Sequence, residues 1–215
     1  QANTVTLTVI DNNGNQSTAT ANVDVQDNVA PVALAQNVTV QLDASGAGSI
    51  VTSDINNGSN DACGVDTMYL DNYNFGCANV GANTVTLTVI DNNSNTTTTT
   101  ATVTVEDNVA PVAIAQPLTV QLDASGNGSI TAAQLDNGSN DACGIASLVA
   151  SKTDFDCSNV GPNTVTLTVT DNNGNVSTAT AVVTVEDNVA PIAIAQPLTV
   201  QLDASGNGSI TAAQL

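Results

Sequence analysis

Aspartate recurs at three places in this sequence with one fixed interval. Asp27, Asp107 and Asp187 stand 80 residues apart, as do Asp61 and Asp141, and again Asp11, Asp91 and Asp171. Side-chain amides and further acids accompany them. Glu106, Asp107 and Asn108 with Asp136, Asp141, Asp171 and Asn173 make one set, and Asp27, Asn28, Asp61, Asp91 and Asn93 its earlier counterpart. Carboxylates and amides are hard oxygen donors, and in this number they suit calcium, which takes six to eight such ligands. The same residues are also the ordinary formers of turns, because Asp and Asn bond local backbone and tolerate left-handed conformations. The run Asp171-Asn172-Asn173-Gly174-Asn175 lacks the glycine at the sixth position that an EF-hand loop needs. Singly, then, each reads as a turn residue; together they read as a calcium site.

Four cysteines also follow the interval. Cys63 and Cys77 have 13 residues between them, and so do Cys143 and Cys157. Pairing within each copy would close a short loop, a constraint of roughly 3 kcal/mol. Free thiols are the alternative. Zinc is disfavoured, since two cysteines without histidine leave a tetrahedral shell half empty. Disulfides imply an oxidising, extracellular setting.

The elements that must position these groups are strands. Self-similarity at 80 residues marks a string of equivalent supersecondary units. The stretch Glu106-Asp107-Asn108-Val109-Ala110-Pro111 recurs as Gln26 to Pro31 and as Glu186 to Pro191. Its proline fixes the backbone and favours an extended residue before it, so each copy is expected to begin a strand and a module. The expected organisation is 1–27 as the C-terminal part of a module, 28–107 and 108–187 as complete modules, and 188–215 as the N-terminal part of another. Within a module the period is two: in Thr164-Val165-Thr166-Leu167-Thr168-Val169 the apolar residues face one way and the threonines the other. Ala181 to Val185 and Leu118 to Leu122 alternate likewise, with polar turns at 123–128, 136–141 and 171–175. No helix is expected. Six or seven short strands predict an all-β chain of tandem immunoglobulin-like antiparallel sandwiches. If the first strand runs away from the linker, the loops at 135–144 and 171–175 both return beside it, which brings the acidic sets together.

Composition narrows the function. Twenty acidic residues against one basic one, Lys152, with no histidine, give a net charge of -19. That balance excludes nucleic acid and anionic membrane as partners. With no histidine or arginine and no phosphate loop beside a helix, an enzyme is not expected either. No apolar run of about 20 residues is present, so no membrane insertion is expected, and Gln1 does not open a signal peptide. The sequence reads as an excerpt of a longer secreted chain. Aromatic residues number only four, so the core must be Val, Ile, Leu and Ala, and additional staples are expected.

Asp-Asn-Val-Ala-Pro, Asn-Asp-Ala-Cys-Gly, Phe-x-Cys and Gly-x-Asn-Thr-Val-Thr-Leu-Thr-Val-x-Asp-Asn-x-x-Asn together resemble the hyalin-repeat-like modules of giant secreted adhesins in Bacteroidota, including gliding-motility adhesins. The resemblance covers the whole chain and implies an immunoglobulin-like fold, export, and a structural or adhesive role at the cell surface. The linker is also similar to the cadherin boundary motif, which binds calcium between domains; Asp107, Asn108, Ala110 and Pro111 match it. Two function classes follow. One is a stalk or spacer whose modules are stiffened by disulfides and by calcium at the linkers, with neighbouring modules as partners. The other is ligand binding, for example to a glycan, through the segments 65–76 and 145–156 that differ between copies. Lateral assembly of chains into a surface filament is a third possibility.

Overall fold

Alternation of apolar residues with threonine becomes strand throughout the two full repeats. The computed structural model describes residues 2–214. Its elements begin with β1 (Ala2–Ile10), β2 (Gln16–Asp24), β3 (Val38–Gln41), β4 (Ala47–Ser49), a one-turn helix α1 (Thr52–Ile55), β5 (Val65–Leu70), β6 (Asn74–Gly76), β7 (Gly81–Asp91) and β8 (Thr96–Glu106). The next copy supplies β9 (Leu118–Gln121), β10 (Asn127–Ser129), α2 (Ala132–Leu135), β11 (Ile145–Ala150), β12 (Asp154–Asp156), β13 (Gly161–Asp171) and β14 (Val176–Glu186). The residues group into two compact units. The first is 1–112 with 140–147 and 169–177; the second is 113–139 with 148–168 and 178–215.

In the first unit a four-stranded sheet has the order β3-β8-β7-β5. Val85, Leu87 and Val89 of β7 and Val103 of β8 are wholly buried on its inner face, the period of two expected of a half-buried strand. The other layer consists of the β4–β6 pair and two isolated bridges, Val32↔Asn60 and Ala35↔Asn56. It contributes Ile50, Ile55 and Phe75 to the same core. In β8, by contrast, the run Thr96 to Thr100 alternates between exposed and half-buried positions.

Two features depart from an all-antiparallel sandwich without helix. The chain after Pro31 is split: it bridges to residues 56–60, changes layer at Gln36-Asn37, and continues as β3 parallel to β8. Asn37 holds the crossing by accepting the Thr102 N–H at 2.8 Å. The other departure is the pair of one-turn helices, which bury Ile55 and Leu135 completely. In α2, Thr131 Oγ1 accepts from the Gln134 N–H while Gln134 Oε1 accepts from the Thr131 N–H, a reciprocal cap.

The second unit contains the β10–β12 pair and the parallel β9–β14 pairing, with Val120, Leu122, Ile130, Leu135, Phe155, Val165, Leu167, Val183 and Val185 buried. The sheet of this copy has the order β11-β13-β14-β9, the same as in the first. Residues 2–24 form a β1–β2 hairpin whose side chains from Asn3 to Asp24 are all exposed, and residues 188–210 carry no strand. No helix among the described residues is long and apolar enough to cross a membrane.

Candidate metal centre

Asp91 and Asp171 occupy the last inward position of β7 and β13, where the apolar stripe ends in a carboxylate. Each is nearly inaccessible, at 1% and 2% exposure. Burial of this kind demands hydrogen bonds. Asp171 Oδ1 accepts the N–H groups of Asn173 and Asn175 at 2.9 and 2.8 Å, and its Oδ2 accepts from Asn175 Nδ2 at 2.8 Å. Burial raises the Asp171 pKa, but the donors from Asn175, Asn173 and Gly174 outweigh it and hold the carboxyl below the usual range. Asp91 is satisfied in the same way by Asn93 and Asn95.

The exposed hairpin repeats this loop. Asp11 accepts from Asn13 and Asn15 in the same pattern, at 2.7 to 2.8 Å, with every neighbouring side chain in solvent. In all three loops the aspartate anchors its own turn, and in the two full repeats Asn93 and Asn173 contribute backbone N–H groups to it.

The residue that sequence reasoning passed over is Asn175. Its amide also donates to the carbonyls of Asp107 at 3.0 Å and Val109 at 3.2 Å, pinning the linker against the loop. Asn95 does the same for Asp27 and Val29. The signal was present in the final Asn of Asp-Asn-Asn-x-Asn. Replacing Asn175 with alanine leaves these acceptors without their donor and is expected to cost about 1–3 kcal/mol. The check is the urea midpoint, and an unchanged midpoint would show the amide to be dispensable.

Asp107 is different. It is 7% exposed; its Oδ1 accepts the Val109 N–H at 3.1 Å, and its Oδ2 is buried with no hydrogen-bond partner among the described residues. Beside it lies Asp141, whose Oδ1 accepts the Cys143 N–H at 2.7 Å. One ligand atom each from Asp107, Asp141 and Cys143 lies within 4.8 Å of the others. Asp27, Asp61 and Cys63 form the equivalent group, with Asp27 half-buried.

The remaining acids and amides of the sequence set are engaged elsewhere. Glu106 Oε2 accepts from Gln41 Nε2 at 2.6 Å, and Asn108 Nδ2 donates to Gln41 Oε1 at 2.6 Å, an exposed cluster on the end of β3 and β8. Asp136 accepts from Gly138 and Ser139 in its own loop. Asp187 accepts from Val189 and is exposed, as is Asn28. Within the wide set, two carboxylate pairs lie close together, Asp107 with Asp141 and Asp27 with Asp61. An orphaned buried oxygen on one carboxylate, with a second carboxylate close by, fits a hard cation. Two carboxylates are far fewer than the ligands of a tight calcium site, which places any affinity in the weak range of extracellular modules, about 10⁻⁴–10⁻³ M.

The cysteine pairing differs from the expectation of bridges within each copy. Cys77 is bonded to Cys143 with Cα atoms 5.1 Å apart, and both belong to the first unit, while Cys63 and Cys157 are free and exposed. The reason is strand direction. Cys63 precedes β5, whose Val65 pairs with Asp91 at one end of β7, whereas Cys77 follows β6 beside Gly46 and leads into Gly81 at the other end. An eleven-residue strand separates those ends by roughly 30 Å, and a disulfide needs Cα atoms within about 7 Å. The two cysteines of one copy cannot meet; the second of one copy meets the first of the next.

No protein-family model matches the sequence, and no curated protein matches it. Among solved structures the chain is similar to mouse clustered PcdhgC3 EC1-3, at 14% identity over 86% of this chain and 77% of that one, with a TM-score of 0.35. It is similar also to protocadherin gamma B7 extracellular cadherin domains 1-4 (14% identity, 87% of this chain, TM-score 0.38) and to the protocadherin GammaB4 extracellular domain (12% identity, 86% of this chain, TM-score 0.38). The chain spans 58% and 37% of the latter two. No residue role is carried over from any of them.

Proposed function

We propose that this chain is a run of structural repeats from an extracellular stalk or spacer, part of a cell-surface adhesin or filament, in which consecutive repeats are held to each other covalently and by calcium. The observation that carries the reading is the bond between Cys77 and Cys143, which joins one 80-residue repeat to the next. A bond inside a repeat would stabilise that repeat alone. A bond between repeats matters where the relation of one to the next must survive load. The extracellular setting is supported by the disulfide, and the structural role by copies so nearly identical in their linkers and acidic loops.

Calcium would be held by Asp107 and Asp141, and in the preceding copy by Asp27 and Asp61. It would cancel carboxylate repulsion in a chain of net charge -19 and supply the partner that Asp107 Oδ2 lacks. The resemblance to hyalin-repeat-like adhesin modules agrees with this role, and neighbouring repeats of a longer chain are the immediate partners.

Labelling intact source cells with an antibody raised against the 215-residue chain tests the reading. Extended surface structures labelled without permeabilisation are the expected result. Label appearing only in permeabilised cells, or a compact soluble protein in the medium, would overturn it. A glycan array probed with the same chain addresses the ligand-binding alternative.

A further inference from the structure

Cys157 and the groove beside it repeat the surface on which Cys143 sits, with Ile192 in place of Val112 among the lining residues. Cys77 lies against Gly46, with Sγ 3.9 Å from its carbonyl oxygen, and Cys157 lies against Gly126 at 3.8 Å. At Gly46 the neighbouring loop is in place: a methyl group built there would come within 3.2 Å of Ala142 Cβ and 3.5 Å of Cys143 Sγ. At Gly126, among the described residues and apart from its chain neighbours, such a methyl would meet only Cys157 Sγ within 4 Å. What the loop covers in the first copy is in the second an open groove of about 520 Å³. It is lined by Ser125, Gly126, Cys157, Asp187, Ala190 and Pro191 among others.

We propose that this groove is the seat for the Asn-Asp-Ala-Cys-Gly loop of a further copy of the same repeat, with Cys157 bonding to that loop's cysteine. The pairing rule is then a relay in which the second cysteine of each repeat bonds the first cysteine of the next, 66 residues on. Cys63, exposed in Asn60-Asp61-Ala62-Cys63-Gly64, belongs to the same loop one repeat earlier and is likewise free. The occupant is fixed by shape and chemistry: a thiol must reach Cys157, and the residue before it must be small enough to pack on a glycine. Two thiols become one disulfide by losing two protons and two electrons, which an external disulfide accepts as it is cleaved to two thiols. The proposal rests on the repeats standing in series but uses neither the cation nor the cellular location, so the two readings can fail separately.

The test extends the full chain after Leu215 with a second copy of its own residues 136–187, which completes the repeat begun at 188. The reduced protein is oxidised with oxidised glutathione, and its disulfides are mapped by mass spectrometry after cleavage at acidic residues. Bonds from Cys77 to Cys143 and from Cys157 to the added copy of Cys143 are expected. Cys157→Ser should leave that added thiol free and the Cys77–Cys143 bond intact. Leucine in place of the alanine before the added cysteine should abolish the new bond while both thiols remain titratable. Pairing of Cys157 with Cys63 or with the added copy of itself, or a Cys157 that stays free in the folded chain, would overturn the relay. So would a bond that the leucine variant still forms, since chance collision would then explain it.

Discussion

Removing the Cys77–Cys143 bond is expected to lower the unfolding free energy of the first unit by about 4 kcal/mol, the largest single effect on stability anticipated for this chain. The figure follows from loop length. The bonded residues are 66 apart, and closing so long a loop constrains the unfolded chain more than the short loop within one copy, at roughly 3 kcal/mol, would have done. Comparison of the oxidised chain with the double variant Cys77→Ser/Cys143→Ser in urea measures it. A difference below about 1 kcal/mol would mean that the unfolded chain is already restricted there. Mechanical extension gives a second readout of the same bond. With the disulfide intact, unfolding cannot release the stretch between the cysteines, which stand 66 positions apart, a contour of about 230 Å at the reach of an extended chain. Addition of a reductant should restore that length, and identical extensions with and without reductant would contradict the pairing.

The second large effect concerns the cation. At about 10 mM calcium, a site with a dissociation constant of 10⁻⁴–10⁻³ M would stabilise the folded chain by about 1.4–2.7 kcal/mol, or several degrees in Tm for a chain of this size. Because the chain carries a net charge of -19, any salt will screen it and raise the melting temperature somewhat. Asp107→Asn separates the two causes. Asparagine keeps the shape and the acceptor for Val109, yet removes the charge that faces Asp141. With a chelator present the variant should melt at or above the parent, since a repulsion has gone. With calcium present the order should reverse, because only the parent gains. A variant that is less stable than the parent in chelator and equally responsive to calcium would assign Asp107 a plain structural role.

Much of the fold was legible because the determinants are local. Thr164 to Val169 alternates with a period of two, and that alternation places Val165, Leu167 and Val169 in the core whatever surrounds it. Strand direction then sufficed to bring Asp141 and the loop 171–175 beside the linker. The same logic, applied to the cysteines, would have placed Cys63 and Cys77 at opposite ends of the repeat. It was obscured because Asp71-Asn72-Tyr73-Asn74 has the composition of a turn, although β5 and β6 on either side of it pair in different sheets. The engagements within the wide acidic set were not legible for a different reason. Composition gives the donors but not their existing engagements: Asp171 accepts from its own loop and Glu106 from Gln41, while among the described residues only Asp107 retains a buried side-chain oxygen with no donor. The one-turn helices were missed because four residues cannot display a helical period, although the Thr131-x-x-Gln134 cap was there to be read.

The most direct test of a cation between carboxylates is equilibrium dialysis of the folded, oxidised chain against labelled calcium. The two carboxylate groups, Asp27 with Asp61 and Asp107 with Asp141, predict two saturable sites in the parent and one in Asp107→Asn. Equal occupancy in the two proteins, or only unsaturable binding that disappears with added sodium chloride, would contradict a site at Asp107.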